Sequence, residues 1–597
     1  MHRSLQPPPE QQWTVSALRW RRIAFTVLVL SSSAALLALM AATLFPAGLD
    51  ATGAVMLMLF AVTLPWTTIG FWNAAIGCAL MTFTRDPAGL VAPHLRAITG
   101  TEKIESATAL LVCIRNEDAR RVAANLEWML QRLVATGEAR WFHLYVLSDT
   151  SDRDIAHEEE RMCAALATRF GAELAVTYRR RETQAGFKAG NIRDFCERWG
   201  AGHAFAIVLD ADSIMTPAAM LRLVRIMQVE PRIGILQTLA TSLPSASAFA
   251  RIFQFGMRLG MRSYTLGAAS WQGDCGPYWG HNAILRLAPF IEHCGLPVLP
   301  GTPPLGGHVL SHDQLEAVLM RRAGFEVRVV PDEDGSWEEN PPTLTEFIRR
   351  DLRWCQGNMQ YFRFLATPGL KLVSRCQLVL AIAMYLGAPA WFGFLVLGLT
   401  RDAPFRTDLG LTVFLLTLAM SLAPKAATLV DVLARRHSRR AYGGTPRIVA
   451  SAVLEFMLSV LIAPVCAVAV TFFLLLLPFG RRMDWDAQQR DAEGLPLRVA
   501  ARRLWLQTAL GLVLAALCWD VAPGVVWFWA PLIAGLAGAI PLAMLTAHPK
   551  AGRALVVAGV CRVPGERAPH EPGWNRPRVA GRDFAPTPVY LAPERSG

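Results

Sequence analysis

Long uncharged apolar runs recur along the chain and divide it. Ile23–Phe45 and Thr52–Thr84 carry no charged residue. Further apolar runs occupy Leu378–Thr400, Leu409–Val430, Ile448–Phe479, Leu504–Trp519 and Val521–Thr546. A bilayer core needs about 20 apolar residues in a helix, so most of these are long enough to span it. Between Gly100 and Gly369 the pattern changes. "ATALLVCI", "WFHLYVLSD", "ELAVTYRR", "AFAIVLDAD" and "GILQT" are short, apolar and mostly β-branched or aromatic. Amphipathic stretches such as "EDARRVAANLEWMLQRLVATG" separate them. Apolar strands alternating with helices predict a mainly parallel sheet covered on both faces. The expected organisation is a tail over 1–22, two membrane helices over 23–84, an α/β domain over 100–370, a membrane region over 371–546 and a tail over 547–597.

Charge orients these segments. Arg19, Arg21 and Arg22 precede the first run, while the loop "PAGLDATG" after it has no Lys or Arg. By the positive-inside rule the N-terminus and the α/β domain are cytoplasmic. The first run reads as a retained anchor, because a second span follows with no small-residue cleavage site between. A parity problem arises further on. "ARRHSRRAYGGTPR" and "GRRMDWDAQQRDAEGLPLRVAARR" are both basic, yet Ile448–Phe479 lies between them. One crossing would put one basic segment on the wrong side, and two full crossings need roughly 40 residues. The expectation is a re-entrant or amphipathic first part containing Glu455 and broken near Pro464, or a tight hairpin of two short helices. Either gives six or eight crossings and a cytoplasmic C-terminus, so the membrane region holds four spans plus this segment. The tail from about Pro564, rich in Pro, Arg and Glu, is expected to be partly disordered.

Composition agrees: of 597 residues, 53% are hydrophobic and 18% charged, as suits a polytopic membrane protein. The net charge of +12 does not imply nucleic acid, because much of the excess flanks the apolar runs. There it serves orientation and contact with the lipid bilayer. The eleven Cys include no CxxC pair, which excludes a zinc ribbon and a disulfide frame.

In a parallel sheet ligands bind at the carboxyl ends of the strands. Asn116 and Glu117 follow the first strand, Asp149 ends the second, and Asp210 and Asp212 end a later one in "IVLDADS". Residues two apart on a strand share a face, so the last two present paired hard oxygens that suit Mg²⁺ or Mn²⁺ held jointly with a diphosphate. The bland alternative is a solvated strand-end turn. Lys188 in "ETQAGFKAGNIRDF" stands by a glycine turn at a helix start, which suits a phosphate, or is a plain surface lysine. "WQGDCGPYWGHNAILR" offers Trp279 and His281 among glycines as a sugar platform, or as packing near the membrane. In "SHDQLEAVLMRRAG", Ser311 reads as an N-cap with Asp313 in the first turn. His312 lacks a second His at metal-ligand spacing. In "RRDLRWCQGNMQYF", Arg349, Arg350 and Arg353 flank Asp351 on a helix leading to the membrane, where snorkelling alone would account for them.

The order Asp149, Lys188, DAD, GHN, HD and RDLRW resembles the family 2 processive glycosyltransferases, with their D, DxD, (T/E)ED and QxxRW pattern followed by membrane helices. More closely it resembles the bacterial glucans biosynthesis glucosyltransferase H family, which makes osmoregulated periplasmic glucans. The closer likeness rests on "NED", "KAGNIRDFCERWG", "VLDADS", "YWGHNAI", "PFIEHC", "LSHD", "RRAG", "RRDLRWCQGN", "GGTPR" and "WDAQQRD", and covers roughly Gly100 to Val499. Arg350 stands where the wider pattern has Gln, and Ser311 and His312 replace the usual residues before the Asp.

The resemblance implies a cytoplasmic GT-A-type glycosyltransferase domain in the bacterial inner membrane, with both termini cytoplasmic. It implies inverting transfer from UDP-glucose to a growing β-1,2-linked glucan, exported across that membrane and served by a periplasmic glucan-modifying protein. Asp149 would contact uridine, with Asn116 and Glu117 shaping that pocket. Asp210 and Asp212 would address the sugar diphosphate and Mg²⁺ or Mn²⁺, and Lys188 and Arg353 its phosphates. Trp354 would lie beneath the acceptor sugar, joined by Trp279 and His281, and Asp313 would be the general base. A cellulose or hyaluronan synthase is the near alternative. A nucleotide-binding transporter is the distant one, and Lys425 and Glu455 are its only ionisable candidates inside the spans.

Overall fold

The computed structural model describes residues 12–566 apart from 334, 484–493 and 522–525. The "WDAQQRD" motif and the tail beyond Glu566 therefore lie outside the described residues. The five apolar runs form β1 (Thr108–Ile114), β2 (Phe142–Ser148), β3 (Ala175–Arg180), β4 (Phe205–Asp210) and, after the short β5 (Ile214–Met215), β6 (Ile233–Thr238). Then come β7 (Thr241–Ser242), β8 (Ala283–Arg286), β9 (Glu326–Val330) and β10 (Ser336–Glu338). The main sheet has the order β3-β2-β1-β4-β8-β6-β9. All neighbours are parallel except β8, which runs against both β4 and β6. A small second sheet, β5-β10-β7, stands beside the end of β4.

Both faces of the main sheet are covered. Leu110, Val112 and Ile114 of β1 join one core with Val122, Leu126 and Leu223, while Ala109 and Leu111 join another with Ile192, Phe195 and Ala317. β4 is buried from Phe205 through Leu209, and only Asp210 begins to emerge. An apolar run buried on both faces therefore delivers its first charge at the carboxyl rim.

The membrane helices meet this domain through a helix the apolar-run reading did not single out, Ala248–Gln272. It packs on the helix Ala51–Phe83 at two glycines. A Cβ on Gly77 would lie 1.9 Å from the Ser263 carbonyl oxygen, and one on Gly267 1.9 Å from that of Asn73. Only glycine lets the two backbones approach so closely. The first helix begins at Gln12, well before Ile23, so much of the expected 1–22 tail is helical. Arg22 then meets Asp274 of the domain at 2.6 Å, and Lys371 meets the same carboxylate at 2.7 Å. The basic residues expected only to orient the chain thus also lock two membrane helices to the domain.

Six described helices are long and apolar enough to cross a membrane, with a seventh unit, Trp529–Ala537 and Ala539–Ala547, bent by 66°. Thr445–Leu476 corrects the expectation of a hairpin or break near Pro464, for it is one continuous helix. Gly535 of a neighbouring helix lies against the Leu461 carbonyl and the Pro464 ring, packing the place where a break was expected. Both ends of this helix return to the α/β domain. Ile448 clusters with Ile252 and Phe255, whereas Phe473 and Leu477 cluster with Cys355, Met359 and Tyr361. Just beyond, Met483 N donates to Gln356 Oε1 at 2.7 Å. Lys425 and Glu455 satisfy each other at 2.5 Å, which removes the observation favouring a transporter. The start of the expected tail is also structured. Pro549–Ala558 is a helix, and Glu566 pairs with buried Arg251 at 2.5 Å.

Candidate active site

The rim of the sheet gathers most of the singled-out residues. Asp149 is 5% exposed and is gripped by Arg181, Nε to Oδ1 at 2.7 Å and Nη2 to Oδ2 at 2.6 Å. Arg181 also donates to the carbonyls of Ala185 and Phe187 at 2.9 and 3.0 Å, so it ties Asp149 to the turn before Lys188. Asn116 takes a different part from the one expected. In a left-handed backbone conformation, φ 51°, its Oδ1 accepts from the backbone N–H groups of Ser151 and Asp152. It is the clasp between the loops after β1 and β2. Glu117 lies half-exposed beside it.

Lys188 sits in the first turn of the helix Phe187–Trp199. Its ammonium pairs with the Asp210 carboxylate and donates to the Gly280 carbonyl at 2.7 Å. Burial works to lower its pKa, but the carboxylate outweighs that and holds it above the ordinary lysine value. Lys188, expected to meet a phosphate, here also links the DAD and GHN motifs. Asp212, 7% exposed, accepts from the backbone N–H of Glu339 at 3.2 Å. Among the described residues no three His, Cys, Asp or Glu side chains group to hold a metal. Asp210 and Asp212 are hard oxygen donors that fit Mg²⁺ or Mn²⁺ when the rest of the coordination shell comes from substrate oxygens and water.

The GHN turn links the two sheets. Asn282, fully buried with φ 50°, donates to Ser336 Oγ at 2.8 Å and to the Trp337 carbonyl at 3.0 Å. Trp279 N donates to Gln237 Oε1 at 2.8 Å. His281 faces Glu338 at 3.4 Å, and burial pushes that carboxyl above its ordinary value. Gly280, at φ 81°, lies against the start of the helix Asp313–Arg322: a Cβ there would be 3.3 Å from Asp313 Cβ. Lys188, Asp210, the Gly280 turn and Asp313 thus form one contiguous group.

Ser311 is not the N-cap. His312 holds that position without a side-chain cap bond. Ser311 instead packs against Gly357, where an added Cβ would lie 2.1 Å from its Oγ, and its carbonyl accepts from Tyr361 Oη at 3.2 Å. The "RDLRWCQGN" helix, Leu344–Met359, is thereby pressed onto the Asp313 segment. Arg350 stacks over Trp354, guanidinium carbon 4.8 Å from the ring centre, and Trp354 is 46% exposed. Arg353 lies half-buried on the same helix.

Sequence reasoning missed Arg181, Glu316, Glu338 and Glu339. Arg181 was discoverable, since it follows β3 at the same rim. Glu338 and Glu339 were not, because β10 has three residues and no apolar run announces it.

Residues 205–480 match the family described as Glycosyl transferase family group 2. The chain is 36% identical over 550 residues to a glucans biosynthesis glucosyltransferase H of Xylella fastidiosa, covering 89% of this chain and 86% of that one. It is 37% identical to the Caulobacter vibrioides protein of the same name, covering 87% and 81%. The chain belongs to the glucans biosynthesis glucosyltransferase H family. It is a glycosyltransferase of glucan synthesis with a GT-A-like domain flanked by apolar helices. Against the Pseudomonas aeruginosa PAO1 protein of that name, also 36% identical, it spans 60% of the relative's length. A solved mannosyltransferase of Pyrobaculum calidifontis with GDP-Man and Mn²⁺ is 14% identical with a TM-score of 0.37, covering 64% of this chain and 99% of its own.

Proposed function

We propose that this chain transfers glucose with inversion from UDP-glucose to the end of a linear β-1,2-glucan, in the bacterial inner membrane. The catalytic domain and both termini face the cytoplasm. The observation that carries the reading is the Lys188 strut: its bonds to Asp210 and to Gly280 bring the DAD carboxylates to the turn on which Asp313 packs.

Asp149, oriented by Arg181, accepts the uracil N3–H, with Asn116 and Glu117 holding the loops around it. Asp210 and Asp212 would hold a divalent cation, Mg²⁺ or Mn²⁺, which when bound would neutralise charge on the departing diphosphate. Lys188 keeps Asp210 in register, and Arg353 addresses the diphosphate. Trp354 and Trp279 present ring faces to the acceptor sugar, and His281 a hydrogen bond. Asp313 takes the proton from the acceptor hydroxyl as that oxygen attacks the anomeric carbon and the bond to UDP breaks. With UDP a stabilised leaving group, a carboxylate in place is a sufficient base. The glucan leaves through the membrane helices, and a periplasmic glucan-modifying protein receives it.

Membranes incubated with radiolabelled UDP-glucose should yield β-1,2-linked glucan, whereas β-1,4-linked product would overturn the assignment in favour of a cellulose-type synthase. Asp313→Asn should abolish transfer and keep UDP binding. Near-normal glucan synthesis by that variant would remove Asp313 as base.

A further inference from the structure

His312 and Glu316 are ionisable, almost wholly buried, and unused by the reading above. They are 6% and 3% exposed, and His312 Nδ1 lies 2.8 Å from Glu316 Oε2, one helical turn on. The Cε1–Nε2 edge of the imidazole faces the Gly280 turn: the point where a Gly280 Cβ would sit is 3.5 Å from His312 Cε1 and 3.6 Å from Nε2. That same point is 3.3 Å from Asp313 Cβ, and the Gly280 carbonyl accepts from Lys188. The imidazole therefore stands between a buried carboxylate and the turn that carries the site.

Burying two charges costs several kcal/mol each and is recovered only by good mutual geometry, so an apolar pair would serve stability as well. Charge kept here points to use. We propose that His312 and Glu316 form a positioning pair for Asp313, a buried ion pair that fixes the first turn of its helix and holds a cation beside the carboxylate. This rests on Asp313 being the general base.

The surroundings leave Glu316 as the group that sustains the imidazolium. Asp313 and Glu316 act on the imidazole from its own helix and Lys188 from Phe187–Trp199. Around Glu316 stand Cys196 of Phe187–Trp199, Tyr278 of the segment before Gly280, Cys294 after Leu287–His293, and Tyr361 of the turn after Leu344–Met359. Burial alone would lower the imidazole pKa. Glu316 outweighs it and raises the value above 6.5, with Asp313 adding to the effect and Lys188 opposing it. A neighbouring cation favours the charged form of a carboxylate.

The test is the pH dependence of kcat in the full-length enzyme, with UDP affinity measured alongside. His312→Gln removes the cation at every pH, so the acid limb of kcat should move to higher pH. Glu316→Gln leaves burial to lower the imidazole pKa, so kcat should fall above about pH 6.5, where the parent is flat. Both variants should bind UDP as the parent does. Loss of kcat by one factor at all pH values, with unshifted limbs, would mean a merely structural role and overturn the proposal. Asp313→Asn separates the two claims: an active Asp313→Asn enzyme overturns the base, whereas an inactive one with unshifted His312 and Glu316 variants overturns the pair alone. Should both variants fail to fold, the parent still decides. A flat kcat profile from pH 6 to 7 supports a retained imidazolium, and an inflection near 6.5 overturns it.

Discussion

Arg181 holds Asp149 by a two-pronged contact and spends its remaining donors on the turn that leads to Lys188. One guanidinium thus couples Asp149 at the rim to the turn that carries Lys188. Arg181→Ala should raise the donor KM at least about tenfold, since a fixed carboxylate becomes a buried one without its partner. Arg181→Lys should rescue little, because an ammonium cannot match the fork. Asp149→Asn with Arg181→Ala should be more stable than Arg181→Ala alone. Calorimetric UDP binding and thermal unfolding in detergent read both effects.

Lys188→Met should lower kcat/KM by about two orders of magnitude. The lysine is committed to Asp210 and Gly280, so its loss frees the carboxylate from the turn that faces the base. A phosphate ligand would mainly affect donor affinity; a strut affects kcat as well. Asp212→Ala should weaken metal-dependent donor binding, and chelation of divalent cations should silence the parent. Unchanged Mg²⁺ dependence in Asp212→Ala would count against the DAD assignment.

Gly357→Ala should reduce kcat with little change in UDP affinity. The added methyl would meet Ser311 Oγ at 2.1 Å and Ser311 N at 2.8 Å, forcing the RDLRW helix off the segment that carries Asp313. Removing the hydroxyl in Ser311→Ala should restore only part of the rate, because the backbone nitrogen remains in the way. Full restoration would show that the backbone contact does not matter.

Asp351 gives a pH signature in stability. Burial raises its carboxyl from 3.8 to about 6, while a hydrogen bond from Tyr385 Oη at 3.1 Å works the other way. A folded-state pKa above the unfolded one means the folded protein binds the extra proton. Its stabilising contribution is therefore full below about pH 4 and is lost as pH rises through 6. Asp351→Asn should stabilise the protein by on the order of 1–2 kcal/mol at pH 8, discounted for its partial solvent contact, and by nothing near pH 4. Thermal unfolding of both proteins at the two pH values measures it.

Five of the six parallel strands were legible as short apolar runs, β4 with Asp210 at its end being the clearest case, whereas β9, with Glu326 and Arg328 in its run, was not. β10 was not legible, since its three residues take their meaning from pairing with β5 and β7. The residues at the rim were largely foreseen, but their partners were not. Lys188 reads in sequence as a free cation by a glycine turn; that it is committed to Asp210 depends on β4 lying opposite, over twenty residues away. Ser311 shows the converse. Its type suits a cap, yet contact with Gly357 decides its place. Local chemistry was readable, and commitments across the fold were not.

We propose that the continuous helix Thr445–Leu476 accounts for the parity of the membrane region without a hairpin. Its 32 residues make a rod about 48 Å long, enough to cross a bilayer. Yet Ile448 at one end clusters with Ile252 of the domain's membrane-facing helix, and Leu477 at the other clusters with Met359. If the rod lies along the domain, the basic segments at its two ends would fall on the same side, as the positive-inside rule requires. Cysteines introduced at Ser438 and Arg481 should then react with an impermeant thiol reagent from the same side as one introduced at Lys103 in the catalytic domain. Labelling of Ser438→Cys and Arg481→Cys from opposite sides would restore a single crossing and reverse the placement of every segment after Leu476.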